Sequence, residues 1–199
     1  MKKAILTLVF GLFLTVGLKA QVEPVSPQDQ IKYPIEAGTV EYVMSMMGTD
    51  NKMTIYFKDY GKAQSTEAKI SMFGMTQHNR SIMQDNKMYE LNIGEKTYKE
   101  SELTEEQVKK NATFLSDEKL MAEEGVTKGE KEDFLGKSCQ TYVMSKDGAE
   151  VKFWSWDGLV LKMETSAQGM TISLVAKSIT EGTPDNMHFE IPADFTKSE

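Results

Sequence analysis

The chain has 199 residues and a net charge of −7, from 23 basic and 30 acidic side chains. That balance argues against a nucleic-acid protein, which needs clustered Lys and Arg for phosphates, and against a polybasic grip on anionic lipid. The length fits one domain with room for a sizeable core.

Residues 1–20 differ from the rest. Lys2 and Lys3 precede an apolar run from Ala4 to Leu18. The run matches the apolar segment of a signal peptide and falls short of the roughly 20 residues that span a bilayer. Ala20 suits the position before a cut, which makes Gln21 the new N-terminus. Gln21 stands where a lipidated protein carries Cys, so a soluble periplasmic or secreted protein is expected, not an integral membrane one. Removing residues 1–20 takes three lysines and no acid, which leaves 179 residues at a net charge of −10.

Residues 21–37 carry Pro24, Pro27 and Pro34 and read as an extended lead-in or linker. A single domain is expected over 38–197. From Gly38 the pattern has period two. Val40, Tyr42, Met44 and Met46 alternate with Thr39, Glu41, Val43 and Ser45, and Met53, Ile55 and Phe57 repeat the pattern after a turn at Gly48–Asn51. Such alternation about a turn is a hairpin signal. Further strands are expected at about 62–73, 76–84 and 87–93, with a weak one at 96–99.

Residue 104 opens a helical excursion to about 124. Thr104-Glu-Glu-Gln107 matches a capping box, with Leu103 and Val108 as its hydrophobic staple. Ser116-Asp-Glu-Lys starts a second short helix, and Gly125 suits its C-terminal cap. A second meander follows, with strands at 138–146, 149–156, 159–167 and 170–180. Asp147-Gly148 and Asp157-Gly158 are hairpin dipeptides, and Gln168-Gly169 is a weaker one. Met187 to Phe195 reads as a short edge strand stopped by Pro192.

These elements predict an α+β fold. About ten strands form a strongly curved antiparallel sheet, an unclosed half-barrel, with the helical insertion covering its concave face. A sheet this wide curls, and its concave face becomes an apolar trough, either filled or open to a ligand.

Chemistry is sparse. The chain lacks the nucleophile elbow, the His-Glu-x-x-His zinc pair and the Gly-rich phosphate loop. His78 and His188 are its only histidines and Cys139 its only cysteine. Cys139 cannot form an internal disulfide and reads as a small buried hydrophobe. Neither an enzyme nor a cofactor is expected. Methionine is the outlier, with thirteen in residues 21–199. Three readings stand. Methionines can simply fill a core. They can also form an adaptable lining for varied apolar partners. As a weaker alternative, Met44 and Met46 share one strand face and could offer two thioethers to Cu(I). Trp154 and Trp156 share another face and are either ordinary packing or a pocket mouth.

The layout resembles the LolA/LolB-like lipoprotein-carrier superfamily, and more closely its exported domain-of-unknown-function members of the Bacteroidetes type. The residues that carry the resemblance are Gly136-Lys-Ser-Cys-Gln-Thr-Tyr142, Gly158-Leu-Val-Leu-Lys-Met-Glu164, the strand ending in Lys177-Ser-Ile179, and Phe189-Glu-Ile-Pro-Ala-Asp-Phe195. The resemblance covers about 38–197. It implies an unclosed β-barrel lidded by helices, and binding of lipid or acyl groups without catalysis.

The leading expectation is therefore a non-catalytic protein that binds a lipid, acyl chain or lipidated peptide in the concave face. By alternation, its lining candidates are Met44, Met46, Ile55, Phe57, Met72 and Met163. The alternative is an envelope protein-interaction module with a filled core.

Overall fold

The computed structural model describes residues 32–72, 74–113, 115–146, 149–167 and 170–198. The expected signal peptide, most of the lead-in, and the turns at Asp147-Gly148 and Gln168-Gly169 lie outside them. Among the described residues, twelve strands form one unclosed, curved sheet. The first meander is β1 (Gly38–Met46), β2 (Thr49–Lys58), β3 (Ala63–Met72), β4 (Met75–Gln84), β5 (Lys87–Asn92) and β6 (Thr97–Glu102). Helices α1 (Glu105–Thr113) and α2 (Glu118–Glu123) come next. The second meander is β7 (Val126–Phe134), β8 (Lys137–Lys146), β9 (Ala149–Trp156), β10 (Leu159–Ala167) and β11 (Met170–Glu181), followed by β12 (Thr196–Lys197).

The strand order is β12-β6-β5-β4-β3-β2-β1-β11-β10-β9-β8-β7. The first meander runs outward from the centre to one edge. The second starts at the opposite edge and runs inward until β11 pairs with β1. The link from β6 to β7 must therefore cross from edge to edge, and the helices make that crossing. Met121 of α2 is buried in the main core, Leu115 packs against it, and the Tyr142 hydroxyl donates to the Leu115 carbonyl at 3.3 Å. The insertion thus lies on the face that holds the core, as expected.

Local chemistry fixes the helix ends. Thr104 and Gln107 form the capping box reciprocally: Gln107 N–H donates to Thr104 Oγ1 at 3.2 Å and Thr104 N–H donates to Gln107 Oε1 at 2.8 Å. Asp117 caps α2 by accepting from the Lys119 and Leu120 amides. Gly125 ends it at φ +69°, the left-handed cap position that glycine tolerates. Lys110 Nζ reaches Glu124 Oε1 at 2.7 Å and ties the two helices together.

The strand alternation holds. Val40, Tyr42, Met44 and Met46 are buried on one face, and so are Met53, Ile55 and Phe57 of β2. These residues sit with Ile172, Leu174, Leu161, Met163 and Phe153 in one apolar cluster. Cys139 is buried there too, and burial pushes its thiol pKa up.

The sequence pattern misses one strand and misplaces another. β7 lies where no strand is expected: Val126 and Phe134 are its only bulky apolar residues, and every residue between them is exposed. It is an edge strand wetted on both faces, so no alternation marks it. The expected edge strand at 187–195 is not a strand. Asn186–Phe189 is a 3-10 turn, opened by Asp185 Oδ1 accepting from the Met187 amide at 2.9 Å. The two residues that do pair are Thr196 and Lys197, which add to β6 in parallel. The segment before them crosses the convex face instead. There His188 stacks on Tyr56 at 3.6 Å, Arg80 and Gln84 donate to the Met187 and Phe189 carbonyls, and Phe189 is buried.

Candidate functional site

The concave face holds a partly open cavity of about 110 Å³. At roughly 30 Å³ per water, it holds about four waters. β1 to β5 supply one wall, through Met44, Met53, Ile55, Ala68, Met83 and Met88. The β9–β10 turn, β10 and β11 supply the other, through Gly158 to Val160, Met163 and Leu174. Register explains why these side chains converge. Met53 pairs with Ala68, Met83 with Met88, and Met163 with Leu174, so each pair projects from the same face. Tyr42 ties the walls together, its hydroxyl donating to the Val160 carbonyl at 2.7 Å across the intervening β11.

The sequence candidates divide at this cavity. Met44, Ile55 and Met163 line it. Met46, Phe57 and Met72 do not. Met46 and Phe57 are buried in the core cluster, and Met72 is half-buried against it. Phe57 is covered edge-on by the Tyr33 ring at 4.8 Å. Residues outside the candidate set complete the lining: Met53, which alternation places on the face of Ile55 and Phe57, then Met83 and Met88, and a polar group of Gln64, Thr66, Ser81 and Asn111. The polar strand members cannot be found from hydropathy, because their own side chains carry no apolar signal. Their cross-strand partners are the only clue, since Gln64 pairs with Phe57 and Thr66 with Ile55.

Lys32 and Tyr33 close one end. Both backbone amides donate to the Tyr60 carbonyl, at 2.9 and 3.0 Å. Gly158 makes room for them: a Cβ there would stand 2.1 Å from the Lys32 carbonyl oxygen, at φ +97°. Tyr33 is buried, and its hydroxyl donates to Gln64 Oε1. Lys32 Nζ donates to the same oxygen at 3.2 Å and lies 5.3 Å from the Tyr33 ring centre. Burial lowers the Lys32 pKa to about 8. Burial raises the phenols of Tyr33 and Tyr42, with repulsion from Tyr33 adding at Tyr42.

The two tryptophans belong to the opposite face. Phe153 pairs with the cavity residue Met163, so alternation turns Trp154 away. Its indole N–H donates to Glu132 Oε2 at 2.6 Å, and the Lys152 and Lys162 ammonium groups lie 4.5 and 4.1 Å from its ring centre. Lys137 covers Trp156 at 4.0 Å. Both indoles are covered by lysines, as packing rather than as a pocket mouth.

The convex face also carries the one arginine. Arg80 Nη2 and His78 Nε2 each reach a Glu67 carboxylate oxygen at 2.7 Å. Burial raises the Glu67 pKa, and the hydrogen bonds from Arg80 and His78 outweigh it, so the carboxyl stays below its usual value. Each member of this cluster has its partner, which makes it a brace under the C-terminal segment. Met44 and Met46 share a buried face as expected. Among the described residues no group of three or more His, Cys, Asp or Glu could hold a metal ion. No helix among them is long and apolar enough to cross a membrane.

No family model matches the sequence, and no curated protein matches it. Solved structures do. An uncharacterized conserved protein from Thermus thermophilus is similar at a TM-score of 0.56 and 8% identity, over 86% of this chain and 96% of that one. MucB is similar at a TM-score of 0.50 and 8% identity, over 84% of this chain and 62% of MucB. The complex of MucA and MucB from Pseudomonas aeruginosa gives a TM-score of 0.50 at 12% identity, over 84% of this chain and 59% of that one. The chain thus spans about three fifths of MucB. At these identities the likeness shows the fold alone. That fold is an unclosed, curved antiparallel sheet with a short helical insertion, as expected.

Proposed function

We propose that this is an exported, non-catalytic protein that holds an apolar chain in the concave cavity. The observation that carries the reading is the lining. Five methionines (Met44, Met53, Met83, Met88 and Met163) face a void that the surrounding core does not fill. Thioether side chains have three free torsions and polarizable sulfur, so they fit a chain of variable shape better than branched residues do. A packed interior has few voids larger than one water, and a void of about four waters needs a reason.

Native mass spectrometry of the protein after gentle purification tests this, together with displacement of a fluorescent fatty acid. Co-purified lipid, or saturable displacement at micromolar ligand, is expected. A protein that is free of lipid and takes up no fluorescent acyl chain would sink the proposal.

A second reading has its own support. Among the described residues β7 is a long edge strand with one unpaired side, open to strand addition by a peptide partner. MucB, which shares the fold, is known in complex with MucA. Under this reading an envelope protein would bind by the edge or the acidic surface. Pull-down by the wild-type protein, lost when Glu130 is replaced by proline, is its expected result.

A further inference from the structure

Resting on the acyl-chain reading of the cavity, we infer that its ligand carries a carboxylate, seated against the Lys32 ammonium. The first ground is charge. Among the described residues Lys32 is the only charged member of the lining, and no Asp or Glu faces the cavity. This happens in a chain with 30 acidic against 23 basic residues. A lone cation in an apolar wall costs desolvation unless an anion accompanies it.

The second ground is valence. An ammonium has three donors. One of them goes to Gln64 Oε1. That oxygen also accepts from the Tyr33 hydroxyl, so it is shared. Among the described residues no carboxylate pairs with Lys32. The depressed pKa of about 8 arises from burial alone, as expected for a cation without its counter-ion.

The third ground is the arrangement of polarity. Gln64, Thr66, Ser81 and Asn111 are neutral groups able to hydrogen-bond a head group, and the methionines accept a tail. One cation with neutral donors suits a monoanion. A phosphate dianion calls for more positive charge than this lining has. Size sets the tail. A methylene takes close to the roughly 30 Å³ of one liquid water, so the 110 Å³ cavity takes about four carbons. The ligand class is then a fatty acid whose head and first carbons sit in the cavity and whose remaining tail leaves through the open side.

Isothermal titration of the full chain at pH 7 compares decanoate with its methyl ester, in wild type and in Lys32→Met. Met keeps the stem and removes the charge. A charge-assisted contact is worth about 1.5–3 kcal/mol, so wild type is expected to bind decanoate about tenfold or more tighter than the ester. In Lys32→Met that ratio is expected to fall to about one. Equal binding in wild type, or a preference that survives Lys32→Met, overturns the carboxylate inference and leaves the apolar-chain reading standing. Binding of neither ligand overturns both.

A second measurement needs no variant. Decanoate labelled with carbon-13 at the carboxyl is titrated while bound to wild type. Lys32 contact is expected to hold its pKa below the value in water. An unshifted or raised pKa refutes the contact.

Discussion

Ala68→Leu turns the existence of the cavity into the sign of a stability change. Ala68 is 1% exposed, sits on β3 opposite Met53, and lines the void. Leucine adds three carbons, about three quarters of the space that four waters occupy. If the void is open, those carbons are buried without displacing anything, at about 0.8 kcal/mol each. The ceiling is therefore about 2.4 kcal/mol, and cavity-filling substitutions usually deliver about 0.5–2 kcal/mol. For a chain of this length, 1 kcal/mol moves the midpoint by about 2–4 °C. If the methionines instead pack the space solidly, the same substitution overpacks the core and costs about 1–3 kcal/mol. Thermal melts and urea titrations measure the change, and displacement of a fluorescent acyl chain measures the site. The expected result is a midpoint raised by several degrees with weakened acyl-chain binding. A lowered midpoint would refute the cavity. A raised midpoint with undiminished binding would refute its use as the site.

Other perturbations probe the parts that hold the cavity. Gly158→Ala puts a Cβ against the Lys32 carbonyl at positive φ; backbone strain alone costs about 1–3 kcal/mol, and an unchanged melting midpoint would contradict the close approach. Thr104→Ala removes half of the capping box and should cost about 1 kcal/mol, read by urea titration. His188 has its pKa lowered by burial, with the Arg80 charge adding. The unfolded chain therefore takes up its proton first, and stability that is full above the ordinary imidazole value of about 6.5 falls as the pH drops below it. His188→Phe keeps the stack on Tyr56 and should flatten the melting midpoint over that range relative to wild type. Lys32 loses its proton at about 8 when folded and at about 10.4 when unfolded, so its contribution raises stability from pH 8 toward pH 10. The phenols that share its cavity, Tyr33 and Tyr42, are raised and act the other way above about pH 10. A melting series in which Lys32→Met shows the same rise as wild type would contradict this.

The strands are legible in the sequence where one face is dry. β1 and β2 alternate Val, Tyr, Met, Ile and Phe with polar residues, because one side packs and the other meets water. The capping box and the Asp157-Gly158 turn are legible because both are local: two side chains three residues apart, and two consecutive positive φ angles. β7 escapes because an edge strand needs no hydrophobic face. The C-terminal segment escapes for a related reason. Its apolar residues match a strand, but Phe189 is buried by crossing the convex face rather than by joining the sheet. Half of the expected lining falls outside the cavity by the same limit. Alternation tells which side chains share a face, and Met46 and Phe57 are buried on the correct one. It does not tell how far along that face the void extends.

The position of the void follows from topology. The two meanders meet only at β1 and β11, so the centre of the sheet is made by strands from opposite ends of the chain. The helical crossing leans toward the second meander, where Met121 is buried and Leu115 meets Tyr142. On the other side, α1 contributes Asn111 to the lining, and the wall beyond it is left to Met44, Met53, Met83 and Met88. A short lid laid across a wide curved sheet cannot cover all of it. The uncovered part is where the unbranched side chains gather, and Lys32 and Tyr33 close its end. That closure sets the one charge among the described lining residues beside the polar ones. Methionine richness and the lone lysine are thus two consequences of one mismatch, between the breadth of the sheet and the length of its lid. A chain engineered with a longer α1 should lose both the void and the need for either.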